Sequence, residues 1–299
     1  MSVSRRLTRN QSVVLAVLGV VTFSLTTPLA ALVHWGIALH LAVRMGIAAV
    51  VLLAIIRTFP TKEDLKDPHE LRCIFFCSVV SPLFVISAVL GSPSAAIVLL
   101  ATGSVWAALL NRIVYGVHVT TGFWVRQLLA FGGLLTYSRE ALPKLGAAPL
   151  AIGVLAGAAF GVFSVLHKRR PEGKRDTDVL AGVLLSALAF GLVVPANGIG
   201  GSLTDSGSWV AVIFSGLLVG FGYAVIVKSL EALEPQTANM IYSAEAPLGM
   251  VWMALIFGTI PTSQEQLGAA ILLSAVFWEA WASRDAPPEH AVVLNAEGR

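Results

Sequence analysis

The chain has 299 residues, 56% hydrophobic and only 12% charged, with mean hydropathy +0.81 and formal net charge +3. An ordinary soluble domain carries about a quarter charged residues, so these values exclude a water-soluble globule and a disordered chain. The small basic excess is no footprint for nucleic acid, and none is expected as a partner.

Ten stretches suit membrane helices of about 20 residues. Arg5, Arg6 and Arg9 precede the first, 12–33. A basic start before an apolar run also describes a signal peptide, but this run is long and leads straight into 37–57, so it reads as an uncleaved span. The second span holds His40 and Arg44, one turn apart. A charge at this depth is costly, so it must face the bundle interior, snorkel, pair or work. Arg44 is expected to pair with an acid or to meet a substrate carboxylate or phosphate. His40 reads as a wet interfacial histidine or a participant in a proton step. The third span, 71–90, carries Cys73 and Cys77, read as small packing residues rather than a redox or metal pair. Ser81-Pro82 is a candidate kink in it. The fourth, 94–112, contains Thr102-Gly103-Ser104 and then Trp106. The fifth, 117–137, carries Arg126, expected to make a structural or oligomer contact.

The second half repeats this rhythm. Span 147–167 has Gly153, Gly157 and Gly161 at G-x-x-x-G spacing, which permits close helix approach. After 177–197, span 208–229 holds Gly216, Gly220 and Tyr223. Span 236–258 holds Tyr242, Glu245, Pro247 and Trp252. Glu245 lies near mid-span, where snorkelling is hardest; it is a candidate for amine binding or proton uptake, or a partner for an arginine. The last span, 266–283, ends in Trp278-Glu279-Ala280-Trp281, read as an aromatic belt with a snorkelling acid. The loops 58–70, 138–146, 168–176 and 198–207 are too short for a soluble domain. Runs this long without strand alternation favour helices over a β-barrel.

Placing both termini in the cytoplasm and threading ten spans puts sixteen basic residues on that side: Arg5, Arg6, Arg9, Arg57, Lys62, Lys66, Arg72, Arg112, Lys168, Arg169, Arg170, Lys174, Arg175, Lys228, Arg284 and Arg299. Only Arg139 and Lys144 fall opposite, as the positive-inside rule requires. Lys168-Arg169-Arg170 reads as a topology anchor, with anionic lipid as a further partner.

The halves also match weakly as sequence. An offset of 143 sets Thr102 on Glu245, Ser104 on Pro247 and Gly132 on Ala275. Five spans repeated in tandem must insert in opposite orientations, which predicts an all-α membrane protein of ten helices in two inverted five-helix repeats. The repeats are set at 1–138 and 147–285, followed by a short cytoplasmic tail, 286–299. Thr102, Ser104 and Trp106 would then face the Glu245 region across the repeat axis.

On this layout, with Arg44 in Leu41-Ala42-Val43-Arg44-Met45, the proline segment Ala244-Glu245-Ala246-Pro247-Leu248 and the glycine of Gln266-Leu267-Gly268-Ala269-Ala270, the chain resembles the drug/metabolite transporter superfamily. Its ten-span EamA-like members are the nearest in pattern. It departs where many members have a Gly-Glu pair: Asn111-Arg112 and Gly258-Thr259-Ile260-Pro261 stand there. The resemblance implies a multi-pass protein of the cell membrane (the inner membrane in a Gram-negative cell). It also implies an exporter of small organic solutes such as amino acids, with sugar-phosphate or nucleotide-sugar exchange as the alternative. Candidate substrate-binding or coupling residues are Arg44, Thr102, Trp106, Tyr223, Tyr242, Glu245 and Trp252. Proton coupling is one option alongside exchange and facilitated flux, and monomer and homodimer stay open. An intramembrane enzyme or a purely structural protein is a different class of reading. The spans show no H-E-x-x-H, nucleophile constellation or phosphate-binding glycine loop, so no catalytic residue, metal or cofactor is expected.

Overall fold

The computed structural model describes residues 7–170, 176–198 and 200–284. Arg5, Arg6, Lys174, Arg175, Arg299 and the tail 286–299 lie outside the described residues. Within them the chain is a helical bundle with no strand.

The first apolar stretch forms two pieces, α1 (Arg9–Ser24) and α2 (Thr26–Ala31), divided at Leu25. A capping box starts α1: Thr8 Oγ1 accepts from Gln11 N–H at 3.3 Å, and Gln11 Oε1 accepts from Thr8 N–H at 2.9 Å. Then come α3 (Ile37–Ile56) and α4 (Pro68–Leu90). The fourth stretch is again broken, into α5 (Pro93–Leu100) and α6 (Gly103–Tyr115), and α7 (Thr121–Tyr137) follows. The second half comprises α8 (Ala147–Lys168), α9 (Thr177–Asn197), α10 (Ser206–Ser229), the broken pair α11 (Pro235–Tyr242) and α12 (Glu245–Phe257), and α13 (Ser263–Ala282).

Eight of these units are long and apolar enough to cross a membrane: α1 with α2, α3, α4, α5 with α6, α8, α9, α10, and α11 with α12. The other two expected spans stand apart for visible reasons. Helix α7 has 17 residues, and α13 has 20 but opens on Ser263-Gln264-Glu265-Gln266.

The two halves repeat element for element. Pro93 matches Pro235 as the first residue of a short helix, Gly103 matches Glu245 at the restart, and Thr120 matches Thr262 as N-cap. Gly116 and Gly258 end α6 and α12 in the left-handed region at φ 67° and 66°, where glycine is unstrained. All four pairs are 142 residues apart. The sequence-level offset of 143 is therefore one too large, and Gly103 rather than Thr102 stands opposite Glu245. The string match followed small residues, whereas the fold aligns helix ends.

Packing follows the same exchange of halves. Helix α4 lies on α8 and α9, while their counterparts α1 and α3 lie on α10; α3 meets α9, and α7 meets α13. Small residues permit the closest approaches. A Cβ on Gly133 of α7 would lie 2.6 Å from the Leu272 nitrogen of α13, and one on Gly157 of α8 would lie 2.5 Å from the Leu99 carbonyl of α5. The match is incomplete: α4 packs on α5 far more than α10 does on α11, and α6 packs on α8 more than α12 does on α1. Helix α6 packs broadly on α11, whereas their counterparts α12 and α5 barely touch. All eight residues of α11 are buried, while α5 leaves Pro93 exposed.

Candidate functional site

The broken helices bring polar backbone to the centre of the bundle. Pro247 has no N–H to give to the Ser243 carbonyl four residues back, so α11 cannot run on into α12 unbroken. The freed groups find local partners: Ala246 N–H reaches the Ser243 carbonyl at 3.3 Å, and Ser243 Oγ donates to the Met240 carbonyl at 2.6 Å. The matching break has no proline; it keeps the corresponding backbone bond, Ser104 N–H to the Ala101 carbonyl at 3.4 Å, and adds hydroxyls. Thr102 Oγ1 donates to the Leu99 carbonyl at 2.6 Å and Ser104 Oγ to the Ala101 carbonyl at 2.9 Å.

Beside both breaks lies a small cavity of about 50 Å³. Aliphatic side chains of α4, α5 and α10 form part of its wall: Val80, Ile97, Leu100 and Ile226. Four rings form another part. Phe23 meets Tyr223 edge-on at 5.7 Å between centroids, and Phe160 meets Tyr242 at 5.9 Å. The polar lining is sparse: Asn239, Ser243, the two tyrosines and Glu245. Asn239 is already engaged, accepting from Ser164 Oγ at 3.0 Å and donating to the Gly103 carbonyl at 3.4 Å. Tyr242 Oη lies 3.0 Å from Ser229 Oγ.

Glu245 is different. It is 8% exposed, lines the cavity and has no hydrogen bond or ion pair among the described residues. It is the only charged side chain in the lining. A buried carboxylate without a partner is costly, so the cavity offers a place for a group that donates to it.

Of the seven candidates, Tyr223, Tyr242 and Glu245 line this cavity together. Arg44 is 3% exposed and lies outside the lining, within electrostatic reach of Glu245 and Tyr223. No ion pair joins Arg44 to Glu245 within 4.0 Å, and its Nε is buried without a partner. Thr102 is turned onto its own helix, and Ala101 takes the lining place. Trp106 is 39% exposed and outside the lining. Trp252 ties α12 to α1 by donating from Nε1 to Ser24 Oγ at 2.9 Å. His40 is buried with Nε2 unpartnered, so the expected wet interfacial histidine does not form. Phe23, Phe160 and Asn239 were not singled out from sequence. A lone amide within an apolar span was a usable signal for Asn239; the two phenylalanines gave none.

Glu279 also departs from expectation. It does not snorkel: it is 2% exposed, accepts from Arg126 Nε at 2.5 Å and from Thr237 Oγ1 at 2.6 Å. Arg126 thus has an acid of its own chain as partner, and it also lies over the Trp278 ring at 5.8 Å. Next to this cluster, Asn111 Nδ2 of α6 donates to Gln236 Oε1 of α11 at 2.8 Å.

The basic run after α8 is tied into the protein. Lys168 Nζ donates to the Leu230 and Glu231 carbonyls at 2.8 and 3.1 Å, Arg169 lies over the Tyr115 ring, and Arg170 binds Asp178 at 2.9 Å and Asp176 at 2.7 Å. Burial alone would raise the Asp176 carboxyl, but His167, Arg170 and Lys228 around it hold it below its ordinary range. At the other end Ser208 and His34 hydrogen bonds hold the exposed Asp205 carboxyl below that range. No group of three or more His, Cys, Asp or Glu side chains placed to hold a metal occurs among the described residues.

A sequence profile described as the EamA-like transporter family matches residues 10–139 and again 148–279. No curated protein matches the chain. Twenty-seven chains among solved structures do. One, described only as the crystal structure of a protein, is 17% identical and covers 92% of this chain and 97% of its own, with a TM-score of 0.70. At that identity the likeness is one of fold.

Proposed function

The chain belongs to the EamA-like transporter family, and from that premise we propose that it exports a small amine-bearing organic solute, such as an amino acid, by alternating access. The family establishes the coarser statement: a multi-pass membrane protein, a secondary transporter of small solutes and not an enzyme. The observation that carries the finer reading is Glu245, buried, unpartnered and set among four rings in the central cavity. A carboxylate suits an ammonium group, and the rings suit both a cation and an apolar side chain. The lining holds a carboxylate and no basic side chain, which favours an amine over a phosphate-bearing solute.

In this reading α7 and α13 complete ten spans, and the halves are inverted repeats. The 142-residue correspondence of helix ends, the exchange-symmetric packing and the doubled family match all support that reading. The division of flanking basic residues supports cytoplasmic termini. The end at which α11 begins is then the inner, cytoplasmic end. Its broad packing, against the slight contact of α5 with α12, fits a carrier closed inside and poised to open outside. Net outward direction follows the family resemblance.

Proteoliposomes loaded with labelled amino acids test the function. Flux should saturate, and Glu245→Gln should lower it at least about tenfold with the protein still folded, as expected for loss of a charge-assisted contact. Parent-level flux in the glutamine variant would remove that carboxylate from the mechanism. Absence of flux for every amino acid with folded parent protein would reject this cargo class.

A further inference from the structure

Helix α11 has two ends with different duties. At its C-terminal end Asn239, Tyr242 and Ser243 line the cavity, and Glu245 follows directly. At its N-terminal turn Gln236 and Thr237 reach away from the cavity to other helices. Eight helical residues span about 12 Å, so one short rigid piece joins the solute cavity to those contacts. Breaks on either side, at Pro235 and at Ser243–Ala244, leave it free to tilt as a unit.

What Thr237 touches is well anchored. Glu279 belongs to α13 and is held by Arg126 of α7. Helices α7 and α13 approach closely: a Cβ on Gly133 would lie 2.8 Å from the Gly268 carbonyl. The second contact, from Gln236, lands on Asn111 near the C-terminal end of α6. The charged neighbours of the cluster are Arg9 and Glu234, with Arg9 within electrostatic reach of both Glu234 and Glu279. At the opposite end the matching residues are Ser94 and Ala95 on α5, Met253 on α12 and Tyr137 on α7. None of those four reproduces either side-chain bond.

We propose that Thr237 and Gln236 form a latch that holds the inner end of the carrier shut, docked on Glu279 and Asn111; in this reversible carrier, solute that enters from the outer side and binds at the far end of α11 releases it, which is the return limb of the export cycle. The proposal rests on the alternating-access reading and adds the residues that set its resting state. Tilting α11 toward a solute at Glu245 and Tyr242 moves its first turn the other way. The Thr237 hydroxyl and the Gln236 amide then leave their partners for water entering from the inner side. Glu279 keeps Arg126, so no buried charge is stranded when the latch opens. This makes Thr237 and Gln236 positioning residues for transport, remote from the solute.

Accessibility of a cysteine in the cavity tests the latch without any solute. In a Ser243→Cys background, a membrane-impermeant thiol reagent is applied to sealed vesicles of each orientation. Labelling should be confined to the outer face in otherwise unaltered protein. Thr237→Val should raise inner-face labelling about tenfold or more, the expected effect of losing a hydrogen bond to a charged acceptor. Thr237→Ser, which keeps the hydroxyl, should restore the outer-face pattern. Unchanged labelling from both faces in Thr237→Val would overturn the proposal. A second arm replaces Asn111 and Gln236 by cysteines and bridges them with a short bifunctional thiol reagent. Bridging should abolish flux of the best amino acid, and reductant should restore it; full flux in bridged protein would also overturn the latch. Absence of amino-acid flux in unbridged protein would count against the cargo reading alone, since the labelling arm still reports on the latch.

Discussion

At the end where α11 begins, Gln236 bonds Asn111 at 2.8 Å and Thr237 bonds Glu279 at 2.6 Å. At the other end, where α5 begins, the tie is Ser138 Oγ to the Ser94 carbonyl at 3.2 Å. The helix ends correspond residue for residue, yet one end is held by buried side chains with an ion pair behind them, and the other by a hydroxyl on a backbone oxygen. In the proposed cycle the backbone repeat supplies two closures of similar shape, and the polar side chains decide which is made in the resting protein. An exchange between near-equal packings needs only such local differences, because a few kcal/mol move a two-state population almost completely.

The largest expected effect comes from breaking the anchor behind the inner closure. Arg126→Leu leaves the Glu279 carboxylate buried without its counter-ion and should cost roughly 3–5 kcal/mol, read as a lower melting temperature in detergent. Adding Glu279→Leu should recover most of that loss. If the double variant is as unstable as the sum of the two single ones, the two side chains do not work as a pair.

Next is the close contact of α7 and α13, on which both ends rely. Gly133→Ala should cost about 1–3 kcal/mol because backbone of α13 stands where the methyl would go. Gly132→Ala, one residue away, meets nothing within 4 Å and should be neutral. Equal effects at the two positions would contradict the contact. The outer tie should matter less: Ser138→Ala should cost about 0.5–1.5 kcal/mol and leave inner-face labelling of the cavity unchanged. A rise in inner-face labelling from that variant would erase the distinction between the ends.

The smallest effect separates the two acids outside the spans. Asp176 is held below its ordinary pKa of 3.8, so its charged form adds stability above that value, and the contribution is lost as pH falls through its lower folded-state pKa. Asp176→Asn should therefore flatten the acid limb of the melting-temperature profile below about pH 4. Asp205, exposed at the other end, should leave that limb nearly unchanged when replaced by Asn. The opposite ranking would misplace the ionic network.

Most of the architecture was legible because hydrocarbon imposes a length and an apolar composition on each span. Glu245 was legible for the same reason, since a mid-span acid has few innocent explanations. The partners were not. Nothing in spacing tells Arg126 to meet Glu279, 153 residues away, rather than lipid headgroups or a second copy. Trp278 and Trp281 made Glu279 resemble an interfacial belt, and tertiary packing overrode that local pattern. The register error of one residue has a similar source. Small residues are common in these helices and match by chance, whereas caps such as Thr120 with Thr262 and Gly116 with Gly258 mark helix ends and carry the true offset.

Spin-label distances at the two ends test the central claim most directly. One label pair sits at His118 and Glu231, at the end proposed as inner, and the other at Leu90 and Ile260, at the end proposed as outer; all four side chains are exposed. Pulsed electron–electron resonance on protein without solute should give a short inner and a long outer distance. With the amino acid of greatest flux, a second population should appear in which the inner distance has lengthened and the outer has shortened. Short distances at both ends without solute, or both pairs moving in the same direction on its addition, would contradict a carrier whose two closures alternate.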